Sequence, residues 1–355
     1  MKKIFLLSLL FVLIVTTGQS CQMGFNSKKK KEVLADAGVY KSVDSGLTWK
    51  HIPSVPTVSG RPGSIGTANI IVMEVDPQDN NTIYLGTATK GIFFTYDAGS
   101  TWQQRPSFKS GKVSAIEVDP SSKCIIYSSL KNTILKTTDC GRTWDTVFID
   151  NDTGAEIIAL AVDHYGTNIV YAGTSKGVVH KSFDSGKTWS TPFSKIKGKM
   201  VKFMIDPKDS RIIYVPTVSS GIYKSLNSGE DWDNLNDYLK EFKSYKAYKQ
   251  LIFSPSKDNS LILASNYGLL KTDDGGFTWN PIKLLTEPGK AVINSVAVNP
   301  FDDKVVYYNT KNIFYKTINS GGNWETKKMF STKSATHFII NPETPNIMYM
   351  GFAYP

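Results

Sequence analysis

An eight-residue pattern, S/T-x-D-x-G-x-T-W, constrains this chain more than any other feature, because it returns seven times. The copies are SVDSGLTW (Ser42 to Trp49), TYDAGSTW (Thr95 to Trp102), TTDCGRTW (Thr137 to Trp144), SFDSGKTW (Ser182 to Trp189), SLNSGEDW (Ser225 to Trp232), TDDGGFTW (Thr272 to Trp279) and TINSGGNW (Thr317 to Trp324). Successive tryptophans are 53, 42, 45, 43, 47 and 45 residues apart, and all 7 tryptophans of the chain belong to the pattern. Periods of this length mark a propeller, a solenoid or an array.

Within a copy, the third-position Asp can accept backbone N–H groups of a tight turn, and the Gly two residues on permits positive φ. The leading Ser or Thr can also bond locally. This octet is that of the Asp-box, or BNR repeat. Residues 38 to 355 therefore resemble Asp-box β-propellers: sialidases, sortilin-type receptor domains, xyloglucan-degrading glycosidases and photosystem II assembly factors. The resemblance implies a fold rather than an activity, since one fold hosts many functions. Asp44, Asp97, Asp139, Asp184 and Asp274 read as turn-forming acids, with Asn227 and Asn319 in their place in two copies. A turn tolerates that exchange, whereas general acid–base chemistry does not. Trp49, Trp102, Trp144, Trp189, Trp232, Trp279 and Trp324 read as rings packed between neighbouring sheets.

A second signature precedes each octet: an apolar strand ending in V-D-P or a variant, such as EVDP at Glu74 to Pro77 and at Glu117 to Pro120. A turn and a strand bearing I-Y or V-Y follow, then a third strand, the octet and a fourth strand. Four short strands per repeat make a propeller blade. The chain opens on an octet without its first two strands and closes on two such strands without an octet. The two fragments complete one blade, so the expected fold is all-β: a seven-bladed β-propeller with four antiparallel strands per blade, closed by pairing of its terminal strands.

The first residues read as an address. Lys2 and Lys3 precede the apolar run Ile4 to Val15, too short for a membrane span and right for a signal peptide. Cys21 follows shortly after, and the stretch resembles a bacterial lipoprotein signal, which implies cleavage before Cys21 and lipid on its sulfur. Gly18 departs from that family's usual Leu. The expected organisation is a signal peptide over 1–20, a lipidated Lys-rich tether over 21–37 and the propeller over 38–355. Export with a lipid anchor in a bacterial membrane is the expected location, and plain secretion is the alternative.

The formal charge is +10, from 41 basic and 31 acidic residues. Residues 1–32 hold six Lys and one Glu, which leaves 35 against 30 in the propeller, too mild a surplus to argue for nucleic acid. Cys124 and Cys140 fall in one repeat. If Tyr127 pairs with Leu135, Cys124 faces Thr138, close enough for a disulfide in an oxidising compartment; two free thiols is the alternative.

Ligand faces of such propellers usually lie opposite the octets. The candidate face here carries Lys90, Lys131, Lys176 and Lys311 on turns between second and third strands, with Arg105 on an inter-blade loop. The longest inter-blade segment, 234–250, spaces Tyr238, Phe242, Tyr245 and Tyr248 as one face of a short helix would. It reads either as packing onto its own blade or as a lid or partner contact.

Chemistry is harder to find. Sialidases resembling this fold use three arginines on separate blades. Of Arg61, Arg105, Arg142 and Arg211, only the first two fall on the right face. A glycosidase needs two carboxylates about 5–9.5 Å apart, and Asp150, Asp152, Glu156 and Glu287 form no evident pair across a cleft. The four histidines lack ligand spacing, so neither a metal nor a cofactor is expected. The expected function is non-enzymatic binding of a protein segment or an anionic polymer by a monomer. The alternative is a glycan-active hydrolase or carbohydrate-binding protein.

Overall fold

The structure, a computed structural model, describes residues 36–353 apart from Ser59, Ser194 and Lys195. The expected signal peptide, Cys21 and nearly all of the expected tether lie outside the described residues. Two residues assigned to that tether already belong to the propeller: Ala37 is fully buried, and the Asp36 carboxylate accepts the Thr332 N–H at 2.8 Å.

Among the described residues seven blade sheets stand around one axis, a two-stranded ribbon of Ser54–Val55 and Gly63–Ser64 is the remaining sheet, and there is no α-helix. The blade of the third octet is representative. Its strands Val113–Asp119, Ser122–Leu130, Thr133–Thr137 and Asp145–Ile149 pair antiparallel in chain order. Five blades follow this order in full. A sixth, Ile70–Asp76, Asp79–Thr87 and Ile92–Thr95, keeps only a single bridge, Phe94 to Gln103, where its fourth strand should run. The seventh sheet is the composite: Gly38–Ser42 pairs with Met348–Ala353 over five residues, from Gly38 opposite Phe352 to Ser42 opposite Met348. Second strands are the most buried, as in Val170–Thr174, while the outermost Glu325–Lys328 is exposed throughout.

The apolar core lies between blades. Trp144, for example, packs with Tyr84, Ile92 and Phe94 of the preceding sheet, and Trp189 with Tyr127 and Ile134. Trp102 is fully buried and donates its indole N–H to the Ile52 carbonyl at 2.6 Å.

Each octet forms a closed hydrogen-bonded turn. At Asp184, the Ser182 hydroxyl donates to the carboxylate at 2.8 Å and accepts the Gly186 N–H at 2.8 Å. The same carboxylate accepts the Thr188 N–H at 2.8 Å and the Thr188 hydroxyl at 2.7 Å. Asp44, Asp97, Asp139 and Asp274 repeat the arrangement. These bonds hold the carboxyls of Asp44 and Asp184 down at about 2. Asn227 and Asn319 change the donor balance, and the seventh-position residue is Asp231 or Asn323 in place of threonine. The Asn227 amide donates to the Asp231 carboxylate at 2.9 Å, where other copies place a threonine hydroxyl. An amide brings N–H donors that a carboxylate lacks, and a carboxylate partner receives one with a charge-assisted bond.

The fourth octet residue, left unspecified by the pattern, is the joint of the ring. It adopts positive φ in every copy, Ser185 at 59° and Ala98 at 55° among them. Its N–H donates to the first turn of its own blade, as Ser185 does to Asn168 at 2.8 Å. In four copies its carbonyl accepts from the preceding blade, which clamps it with a second-strand tyrosine and a third-strand lysine. Ser185 receives the Tyr127 hydroxyl at 3.0 Å and Lys136 Nζ at 2.8 Å. Ser228 receives Tyr171 at 3.2 Å and Lys181 at 2.8 Å, and Gly275 receives Tyr214 at 3.0 Å and Lys224 at 2.9 Å. Lys41 and Tyr349 of the composite blade reach Ala98 in the same way. Lys181 and Lys224 are buried, and burial lowers the pKa of all four lysines.

Cys124 and Cys140 are joined in a disulfide spanning 16 residues. The register corrects the expectation from sequence: Tyr127 pairs with Lys136, not Leu135, which carries Cys124 directly beside Cys140. The Cys140 N–H then donates to the Cys124 carbonyl at 3.2 Å.

Candidate functional site

The expected ligand face separates into three groups. Lys131 and Lys311 are exposed at the tips of their turns and make no ion pair among the described residues, and Lys131 holds a φ of 55°. Lys90 and Lys176 are engaged: Lys90 Nζ donates to the Thr67 hydroxyl at 2.8 Å, and Lys176 is ion-paired with Asp152 at 2.6 Å. Arg105 does not reach this face. Its guanidinium lies 4.9 Å from the Phe94 ring centre, and its stem abuts Gly141 of the next octet. Phe94 occupies the position at which other blades carry the clamping lysine, and the Arg105 guanidinium lies over its ring. Lys199, Lys249 and Lys328, also exposed and without an ion pair among the described residues, join Lys131 and Lys311 on the loop side.

Segment 234–250 is not the short helix that its aromatic spacing suggested. A 3-10 turn covers Leu235–Tyr238, and successive i to i−3 bonds continue it: Leu239 to Asn236, Phe242 to Leu239 and Tyr245 to Phe242. The three-residue rhythm comes from these tandem turns. Phe242 is buried and Tyr245 and Tyr248 pack beside it against the same blade, while Tyr238 stays exposed, edge-on to Phe277 of the next octet.

The acidic loop at Asp150 also resolves into structure. Asp150 is buried and bonds His180 Nε2 at 3.0 Å, while His180 Nδ1 meets the Thr191 hydroxyl at 2.9 Å. The order Thr–His–Asp resembles a nucleophile relay, yet neither His180 nor Thr191 lines any of the described cavities. It ties two outer strands to a loop.

The innermost strands enclose an axial cavity of about 660 Å³. Sequence reasoning assigned no role to the charged residues that line it. Glu74 and Glu117 project from equivalent positions of adjacent blades, each the first residue of an EVDP strand end. His337 comes from the composite blade beside Glu74, and Lys202 from the far side of the ring. A second cavity, of about 220 Å³, reaches the same two glutamates from the octet side among Pro77, Pro120 and His164. Lys249 and Gln250 line the channel toward the loop side.

Crowding sets the electrostatics here. Burial pushes the Glu74 carboxyl up to about 7, with Lys202 pulling the other way. Burial, and then the charge of Glu74, raises Glu117 well above the carboxylate range. Lys202 is lowered by burial against the pull of both acids, and burial lowers His337 to about 4. Each of the four keeps part of its surface open to the channel, which tempers these shifts without reversing them. Neither glutamate makes an ion pair among the described residues. Glu117 accepts only a long bond, 3.4 Å, from the Val162 N–H. Among the described residues, no group of three His, Cys, Asp or Glu is arranged to hold a metal ion.

The signal that could have revealed this cluster was the repeat itself. Aligned on their V-D-P ends, most inner strands carry an apolar residue where Glu74 and Glu117 stand, and a charged residue at an otherwise apolar repeat position calls for an explanation.

No protein-family model matches the chain. Over 72 residues it is 33% identical to a Neosartorya fischeri protein described as "Probable oligoxyloglucan-reducing end-specific xyloglucanase", a match covering 20% of this chain and 8% of that one. Among solved structures, YCF48 bound to a D1 peptide superposes with a TM-score of 0.64 at 15% identity, covering 84% of this chain and 94% of that one. A GH74 enzyme of Niastella koreensis superposes with a TM-score of 0.62 at 16% identity, covering 88% of this chain and 53% of that one. The chain thus spans about half of the GH74 enzyme and less than a tenth of the curated xyloglucanase. What it shares with YCF48 and with the GH74 enzyme is the fold, a seven-bladed β-propeller.

Proposed function

We propose that this chain is a non-enzymatic binding propeller, exported and lipid-anchored through Cys21, that captures an acidic polypeptide segment on its loop side. The observation that carries the reading is the set of exposed lysines there, Lys131, Lys199, Lys249, Lys311 and Lys328, with no carboxylate partner among the described residues. Such charges steer an anionic partner and set its register. The peptide bound to YCF48 supports a polypeptide as the partner class, since the two rings share their architecture. The test is fluorescence anisotropy with Glu-rich and Lys-rich 12-residue peptides at low and high salt. The wild-type chain should hold the Glu-rich peptide at low salt and release it at high salt. A Lys131→Glu, Lys199→Glu, Lys311→Glu variant should lose that binding, and equal binding by both proteins would overturn the reading. For the address, Cys21→Ser should move the mature chain from the membrane to the soluble fraction.

A glycan-active role is the second reading, favoured by Glu74 and Glu117 sharing one channel and by the 72-residue match. Release of reducing ends from xyloglucan oligosaccharides, abolished in Glu74→Gln and Glu117→Gln, would establish it in place of the first.

A further inference from the structure

We propose that the axial channel is a separate binding site, taking an ammonium or guanidinium group between Glu74 and Glu117. The two carboxylates come from matching positions of neighbouring blades and face one cavity. Both lack an ion-pair partner. Lys202 lines the cavity from across the axis and pairs with neither of them. The acids are gathered on one side: His337, Glu74 and Glu117 stand on three consecutive blades, while Lys202 and, toward the loop side, Lys249 line the cavity from other blades. Unpaired acids in a crowded channel are costly unless a cation or a proton neutralises them. The raised pKa of both glutamates is that cost seen from within the protein.

The walls fit the stem of such a group. Ile71, Ile116, Phe203 and Ile252 line the cavity around the acids, giving a methylene chain apolar surface while its charged end reaches the carboxylates. The glutamates border both cavities, so access runs from the loop side and from the octet side. With no three-ligand group for a metal among the described residues, an organic cation suits the site better than a metal ion. An arginine or lysine side chain of a polypeptide and a free small cation share this chemistry. The site uses none of the loop-side lysines proposed above to bind acidic segments, apart from Lys249 at the channel lining.

Calorimetry on the purified full-length chain tests it, with N-acetyl-arginine amide, its neutral isostere N-acetyl-citrulline amide, and a six-residue peptide carrying one arginine. The arginine amide should bind at least tenfold more tightly than the citrulline amide. Tighter binding of the peptide identifies a polypeptide source, and exclusive binding of the amide a small free cation. Glu74→Gln and Glu117→Gln, which keep side-chain shape, should each weaken binding tenfold or more, and Lys202→Gln should strengthen it. The Lys131→Glu, Lys199→Glu, Lys311→Glu variant should bind the arginine amide as wild type does, so this inference and the acidic-peptide reading fail independently. Equal affinity for the arginine and citrulline amides, or unchanged affinity in a Glu74→Gln, Glu117→Gln double variant that melts as wild type does, would overturn the proposal.

Discussion

On the octet side of the ring, the turn acids and most of the turn carbonyls are engaged. Each turn aspartate is bonded to hydroxyls and N–H groups of its own turn. In four of the turns the fourth residue's carbonyl receives a tyrosine and a lysine from the blade before. On the loop side, lysines stand at turn tips with nothing opposite them, and acids such as Asp152 and Glu156 take up only Lys176 and Lys112. The contrast shows what a net charge conceals. Much of the propeller's basic surplus is interior: Lys41, Lys136, Lys181 and Lys224 hold blades together and are unavailable to any partner. Only the cations left outside that joinery can inform on ligands.

Changes on the octet side should therefore affect stability, and changes on the loop side binding. The largest effect belongs to Trp102→Ala, which removes a fully buried ring and its bond to Ile52, and should cost about 3–5 kcal/mol in chemical denaturation. Lys181→Gln should come next, at about 1.5–3 kcal/mol, because it deletes a charged donor from an inter-blade carbonyl. A loss confined to binding, with stability intact, would break the contrast. Acid should act on the same side. The depressed carboxyls of Asp44 and Asp184 contribute stability that is present above the unfolded value near 4 and lost as pH falls through about 2. A melting temperature that holds steady from pH 5 to pH 2 would contradict this. Asp97→Asn alone should lower the melting temperature, since the Thr101 hydroxyl and N–H then lose their charged acceptor. Adding Thr101→Asp should recover part of the loss by recreating the Asn227–Asp231 pairing. The smallest effect on stability should come from Lys131→Glu, within about 0.5 kcal/mol; a larger drop would mean that this lysine is structural after all.

The blade count and the closure of the ring were legible in the sequence because the octet repeats and the phase of its first and last copies can be read directly. The clamp was legible in principle: a lysine precedes the leading Ser or Thr in six of seven copies, and Phe94 is the exception. It went unread because a lysine on a strand looks like a solvated residue until the neighbouring sheet covers it. Arg105 was misplaced for the same reason, since nothing local shows that its guanidinium lies over the Phe94 ring. The channel acids were hidden by geometry. Glu74, Glu117, Lys202 and His337 span 263 residues, from 74 to 337, and only closure of the ring brings them to one axis.

The strand that completes the composite blade is made last. Gly38 waits for Phe352, 314 residues downstream (352 − 38), before its sheet exists. Until then, six wedges can assemble in order but cannot lock, and both flanks of the arc present raw edges to whatever is nearby. A truncation of a few residues at that late strand should behave less like trimming a tail than like drawing the pin from a hinge.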